Sequence, residues 1–455
     1  KEILDYLILI CLLLFPIAQL SGPFFTDLFL SLAGFLFLII LIKYKKFEYI
    51  NSLIFKILIL WWIYLVINSL LSENPLLSLE SSLFYFRFVF FAFAIYYILE
   101  TIELSIKYIT ICYILVFLFI IIDSLFQYFY GYNFFGFNSS GKRISGIFNN
   151  EQILGSYISR LLPFIMGLII FNFNKNKYLI YLLIFIFIFS DLIIYLSGER
   201  SAFFNLILSS ILMMLLVKRY KIIRICAFII SIFLIIFISV TNNPLKYRMI
   251  DHTLNQMNLY QYFDNNISKN NIDDKDVSND EATIKCSRGV CNYNDKSILI
   301  FSIQHQVLYD AAIRMFTDNV LFGIGPKMYR EYCKKDAYYI VPLQDLSSSS
   351  CSTHPHNTYI QLLAETGIFG FIVVFSFFLF ILMVFFKRFI SLYFVKNNYY
   401  LNDQIIFMYI SIFITLWPIV PTGNFFNNYL NAIYFLPLGF LLYFYNLNLK
   451  KKNND

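Results

Sequence analysis

The sequence predicts an all-α, polytopic integral membrane protein of about twelve spans, and three observations carry that reading. Hydrophobic residues make up 59% of the 455 residues and charged residues 14%, against roughly 45–50% and about 25% in soluble domains. A soluble fold cannot hide so much apolar surface behind so few charges. The apolar residues also fall in runs approaching the ~20 residues that cross ~30 Å of hydrocarbon. Finally, the Lys and Arg residues alternate between rich and poor loops along the chain. The 54 Phe and 35 Tyr add less, because Phe, Tyr, Ile, Lys and Asn share A/T-rich codons and read mainly as genome bias.

In chain order the runs lie near 4–21, 27–42, 52–71, 81–99, 106–128, 152–171, 178–196, 201–217, 222–240, 366–386, 404–420 and 430–447. The first reads as a retained span, since no small-x-small cleavage site follows it. One set of loops, with both ends of the chain, carries 17 Lys and Arg, Arg224 and Arg388 among them; the short loops of the other set carry three, Lys142, Arg143 and Arg200. The positive-inside rule then puts both termini in the cytoplasm. Residues 241–365 become one large periplasmic loop between helices 1–9 (1–240) and helices 10–12 with a cytoplasmic tail (366–455). The net charge of +7 is no nucleic-acid signal: over 241–352, 12 Lys and Arg face 13 Asp and Glu. The excess sits in short loops, where it orients spans, so membrane lipid is the expected partner.

Cys11, Cys112 and Cys226 fall inside spans, where a buried thiol is unremarkable. Cys286, Cys291, Cys333 and Cys351 all lie in the outer segment and suit up to two disulfides, with three connectivities open. Residues 264–298 read as an irregular solvated insertion. Helical spacing returns at 299–317, followed by a turn at Phe322-Gly323-Ile324-Gly325-Pro326 and a short second helix at 327–335.

Charged groups inside spans are costly and tend to be functional. Lys56, near the cytoplasmic end of its span, can snorkel. Arg87, Asp123 and Asp191 lie toward outer ends and together suggest a polar layer there. Arg143 and Arg200 oppose the topological bias, so something besides orientation retains them. A guanidinium fork suits a diphosphate; the plainer readings are an Arg200–Glu199 surface pair and a flexible Arg143 loop. The sharpest pattern is Thr353-His354-Pro355-His356-Asn357-Thr358, with two of only four histidines. Thr353 or His354 can cap and Pro355 fits a first helical turn, so His356 and Asn357 should open a helix. There a neutral His356 could accept a proton while amides and Asn357 hold a substrate oxygen. A purely structural cap and a His-x-His zinc site with Cys351 remain alternatives, the zinc site poorly supplied with carboxylates.

With these residues in hand, the chain resembles the O-antigen ligase and O-antigen polymerase superfamily. His356-Asn357, nine residues, then Gly367-Ile368-Phe369-Gly370 fits its ligase signature. Arg143–Phe148 leading to Leu154-Gly155 and Pro163, Ser197-Gly198-x-Arg200, and Arg314 with Asp318-Asn319 and Phe322–Pro326 follow in order. The resemblance implies a GT-C-like, metal-independent, cofactor-free inverting glycosyltransferase of the bacterial inner membrane, working on the periplasmic face. By the same resemblance, undecaprenyl diphosphate carries the glycan and lipid A–core, another glycan or a protein accepts it. Arg143, Arg200 and Arg314 would hold the diphosphate, His356 would activate the acceptor, and Arg87, His354 and Asn357 would support them. Repeat-unit polymerisation and protein O-glycosylation stay open. A transporter or flippase is disfavoured, because the halves do not repeat and the charges gather at one face.

Overall fold

The computed structural model describes residues 1–139, 143–173, 178–256, 285–287, 290–292, 301–343, 345–395 and 401–454. It is a helical bundle. Helices α1 (Glu2–Ser21), α2 (Pro23–Lys43), α3 (Leu53–Leu70), α4 (Pro75–Ser82), α5 (Phe86–Thr101) and α6 (Ser105–Tyr130) are followed by α7 (Leu154–Phe173), α8 (Leu179–Leu196), α9 (Arg200–Leu216) and α10 (Lys221–Thr241). The outer segment holds α11 (Asn243–Lys246), α12 (His252–Gln256), α13 (Ile303–Asp318) and α14 (Tyr329–Tyr332); α15 (Thr358–Tyr393), α16 (Asp403–Thr415) and α17 (Asn428–Asn454) complete the chain.

Among the described residues, ten helices are long and apolar enough to cross a membrane. Two shorter apolar helices, α9 with 17 residues and α16 with 13, occupy the eighth and eleventh expected runs. The protein is a multi-pass, all-α membrane protein. Its lipid solvent is visible on α10, where Ile229, Phe233, Phe237 and Val240 point outward uncovered, which water would not tolerate in so long a row. Local chemistry sets the ends. Ser52 accepts the Phe55 amide at 3.2 Å to cap α3, Asn74 accepts Leu77 N at 3.3 Å ahead of Pro75, and left-handed Gly131 stops α6. The expected span 81–99 instead starts at Pro75 and turns at 83–85 between α4 and α5. The 404–420 run loses helix after Thr415, before Pro418.

Two charges counted as inner loop cations are buried in the bundle. Arg224 Nη1 and Nη2 grip Asp191 at 2.8 and 3.1 Å, with both side chains almost fully enclosed. Phe187 and Phe228 flank the guanidinium at 4.6 and 5.3 Å. Arg388 binds Asp403 at 2.8 Å and the Leu216 and Leu401 carbonyls, while Asp403 also takes the Lys218 and Arg219 amides. That cluster ties the C-terminal ends of α9 and α15 to the start of α16. The reason is the one sequence counting overlooks: an Arg a turn inside a helix end reaches a buried carboxylate more readily than solvent. Asp191 is thereby spoken for and does not join an outer polar layer. Asp123 also stays apart, accepting Phe134 N at 3.0 Å and Asn133 Nδ2 at 3.3 Å to hold the turn after α6.

In the outer segment α13 packs on α15. A strand pair, β1 (Lys285–Ser287) with β2 (Val290–Asn292), is extended in parallel by β3 (Val341–Pro342); most of the expected insertion at 264–298 lies outside the described residues. Cys333 and Cys351 form a disulfide with Cα atoms 5.0 Å apart. Cys291 is also disulfide-bonded, and strand register sets Cys286 opposite it. The expected second helix at 327–335 is the single turn α14.

Candidate active site

The sharp turn between α8 and α9 organises one half of the site. Gly198 has φ +65°, and a Cβ there would sit 3.0 Å from Arg143 Cγ and 3.2 Å from Arg248 Cδ. Only glycine allows both arginines to lie against the turn. Arg143 Nε donates to Ser197 O at 2.7 Å and Arg248 Nε to Gly198 O at 3.0 Å. Arg200 follows at the start of α9, its Nη1 donating to Gln256 Oε1 at 2.5 Å and Thr253 Oγ1 at 3.3 Å. Glu199 turns away from Arg200, correcting the expected surface pair. It accepts Gly155 N at 2.7 Å, Ser156 N at 3.0 Å and Ser156 Oγ at 2.6 Å, anchoring the turn to the start of α7. Burial, then the neighbouring Arg248, pulls Arg143 down to about 10, so it stays cationic at neutral pH. Three guanidinium groups thus share one turn.

The other half is the start of α15. Asn357 is the cap: its Oδ1 accepts Tyr359 N at 3.0 Å and Ile360 N at 3.1 Å, while Nδ2 donates to Pro418 O at 2.7 Å. The helix therefore opens at Thr358, and His356 precedes it, in the left-handed region at φ +58°. This corrects the expected start, and it commits Asn357 to the cap instead of to a substrate oxygen. His356 O accepts Thr422 N at 2.8 Å. Its ring lies 4.1 Å from the His354 ring and 5.9 Å from the His305 ring, centroid to centroid. His354 Nδ1 meets Thr353 Oγ1 at 2.9 Å and His305 Nδ1 meets Ser302 Oγ at 2.8 Å. Burial lowers all three imidazoles, His305 to about 4 and His354 to about 3, with His356 the next cause for both. Each is neutral at pH 7 and has a nitrogen lone pair to offer.

His305 joins the two halves: it lies beside His356 and within electrostatic reach of Arg200. Arg143, Arg200, His354, His356 and Asn357 therefore share one end of the bundle. The structure does not bring the other two expected residues there. Arg314 is nine residues after His305 on α13, about 13 Å along and on the opposite face; its Nη2 sits 3.9 Å from Cys291 Sγ. Arg87 pairs with Asp27 at 2.9 Å near the starts of α5 and α2. Arg248 and His305 went unread in the sequence, yet a signal existed, since all four histidines fall between 241 and 365. Arg160 was passed over too, hidden in the apolar run 152–171. Among the described residues, no group of three or more His, Cys, Asp or Glu could hold a metal.

The glycine signature is structural. Gly367 breaks α15 at φ +62°, and a Cβ there would lie 2.3 Å from Leu321 O. The Val320–Gly325 loop docks at the break: Ile368 N donates to Val320 O at 2.9 Å, Ile324 N to Ala364 O at 2.9 Å and Gly325 N to Glu365 O at 2.8 Å. Nine residues separate the cap from the break, which sets His356 at a fixed height above the spans.

This fold and end-on site define a polytopic membrane protein with a turn that gathers three arginines beside an imidazole cluster. Residues 181–375 match the family model described as O-antigen ligase. That match supports the O-antigen ligase superfamily and indicates glycosyltransferase activity of ligase or polymerase type. Arg200, Arg248, His305 and His356 fall inside the match; Arg143 and Arg160 precede it. No curated protein matches the chain.

Proposed function

We propose that this protein is a metal-independent, inverting glycosyltransferase of the bacterial inner membrane. Both termini are cytoplasmic, and the site opens to the periplasm. It moves a glycan from undecaprenyl diphosphate to an acceptor hydroxyl, and ligation to lipid A–core in lipopolysaccharide biosynthesis is the first reading. The observation that supports it best is the shared location of Arg143, Arg200 and Arg248 with His356, bridged by His305.

The acceptor oxygen attacks the anomeric carbon as its proton passes to the neutral imidazole of His356. The bond from that carbon to the phosphate oxygen breaks, and its electron pair leaves with the diphosphate. The guanidinium groups counter the charge that grows on the leaving group, which is where most of the rate should come from. The base adds roughly 10²–10⁴-fold. Attack from the face opposite the leaving group inverts the anomeric carbon.

The test is transfer by the purified full chain from lipid-linked glycan to lipid A–core. His356→Ala and Arg200→Gln proteins that insert normally should lose roughly 10²-fold or more. Wild-type rates in the His356 variant would remove the base assignment. Repeat-unit polymerisation is the second reading, because the family match covers both activities. A deletion strain separates them: stranded long glycan marks a ligase, whereas single repeats on the core mark a polymerase.

A further inference from the structure

We infer that Arg160 is a further ligand for the donor's anionic group, seated beneath both halves of the site. The inference rests on the glycan-transfer reading. Arg160 lies on α7, the most enclosed of the long spans, six residues from its outer end, or about 9 Å below it. Its side chain is only 8% exposed, yet its guanidinium makes no hydrogen bond or ion pair among the described residues, and Nε is buried without a partner. The contrast with the other arginines buried in the bundle is sharp. Arg224 has Asp191, Arg388 has Asp403 and Arg87 has Asp27. A cation left bare in hydrocarbon is costly, and such groups are kept where they meet a charged ligand.

Its surroundings belong to both halves of the site. Glu199, Tyr434 and Tyr429 lie within electrostatic reach of Arg160. None is a counter-ion for it. Glu199 is already satisfied by Gly155 and Ser156, and the tyrosine hydroxyls donate elsewhere, Tyr434 to Thr415 O at 3.4 Å and Tyr429 to Gln19 O at 3.2 Å. Tyr157, one turn earlier on the same face, also buries a hydroxyl with no partner. The arginine turn hangs on Glu199, and Thr358, the first residue of α15, lies beside Tyr434. Arg160 therefore lies within reach of the carboxylate that anchors the arginine turn and of a tyrosine beside the start of α15. Arg160 thus adds a buried cation beside the turn that carries Arg143, Arg200 and Arg248, a grouping that a lipid diphosphate matches. Its depth assigns Arg160 to the phosphate nearer the isoprenoid chain.

The experiment measures binding of undecaprenyl diphosphate and undecaprenol to the purified full chain, wild type and Arg160→Met, with thermal unfolding of each free protein. The free Arg160→Met protein should melt no lower than wild type, because a bare buried charge has gone. Its affinity for the diphosphate should drop by roughly tenfold or more, the scale of a charge-assisted hydrogen bond, with undecaprenol binding unchanged. Arg160→Lys should recover part of the loss. Equal losses for both lipids, or an unchanged diphosphate affinity, would overturn the inference while leaving the donor reading standing. A wild-type protein that does not prefer the diphosphate over undecaprenol would overturn both.

Discussion

At the scale of single residues, His356 shows how backbone and protonation are set together. A side chain in the left-handed region costs about 1–2 kcal/mol, and here the Asn357 cap and the Thr422 amide hold it in place. Burial lowers its pKa from the usual 6.5, so the neutral form that accepts a proton persists into mildly acidic solution. Protonation removes the base, so activity falls with pH, and the acid limb of the transfer rate should lie below pH 6.5. Rates measured at saturating donor and acceptor would show this; a limb centred above 6.5 would contradict it. Gly198 is the companion case. Gly198→Ala strains the turn and pushes on Arg143 and Arg248, so donor affinity should suffer more than that for acceptor, as separate KM values would report.

At the scale of elements, the sequence pattern was a reliable guide to position and a poor one to role. His356-Asn357, nine residues, then Gly367 was legible as a unit, and the structure keeps it as a cap and a helix break. What Asn357 and Gly367 do was not legible, because a spacing marks the positions that matter without saying whether backbone or substrate needs them. Gly367→Ala should cost roughly 2–4 kcal/mol, from a positive φ and the approach of Leu321 O. Lowered thermal stability of the outer segment would register it. The paired charges Asp191 and Arg224 were legible only as two unrelated signals, since α8 and α10 are joined by packing that no local pattern encodes. Asp191→Asn should destabilise by roughly 3–5 kcal/mol by leaving Arg224 buried and bare. Replacing both, as Asp191→Leu with Arg224→Met, should return most of that stability; a double variant as unstable as the single would mean that the pair itself, and not the orphaned charge, matters.

At the scale of the whole molecule, span order follows from hydropathy, because the bilayer sets the length of each apolar run. Convergence of Arg143, Arg200 and His356 does not, since it depends on how α7, α8, α9 and α15 meet at one end. That end also concentrates the buried titratable groups, and this sets how stability responds to pH. His305 and His354 fold with pKa near 4 and 3, below the roughly 6.5 of an unfolded chain. The unfolded state binds more protons between those limits, so their contribution is intact above about pH 6.5 and is lost as pH falls toward 4 and then 3. Glu199 works the other way, since burial raises its carboxyl and acidification relieves that strain. The three lowered imidazoles, His356 included, leave the segment around His305 and residues 350–357 weaker in acid. Hydrogen exchange at pH 7 and pH 4.5 should therefore show protection lost first in α13 and around residues 350–357, while Arg224 and its neighbours in the spans stay protected. In His354→Gln that acid sensitivity should shrink. Uniform loss across the bundle, or an unchanged slope in the variant, would mean that acid acts elsewhere in the protein.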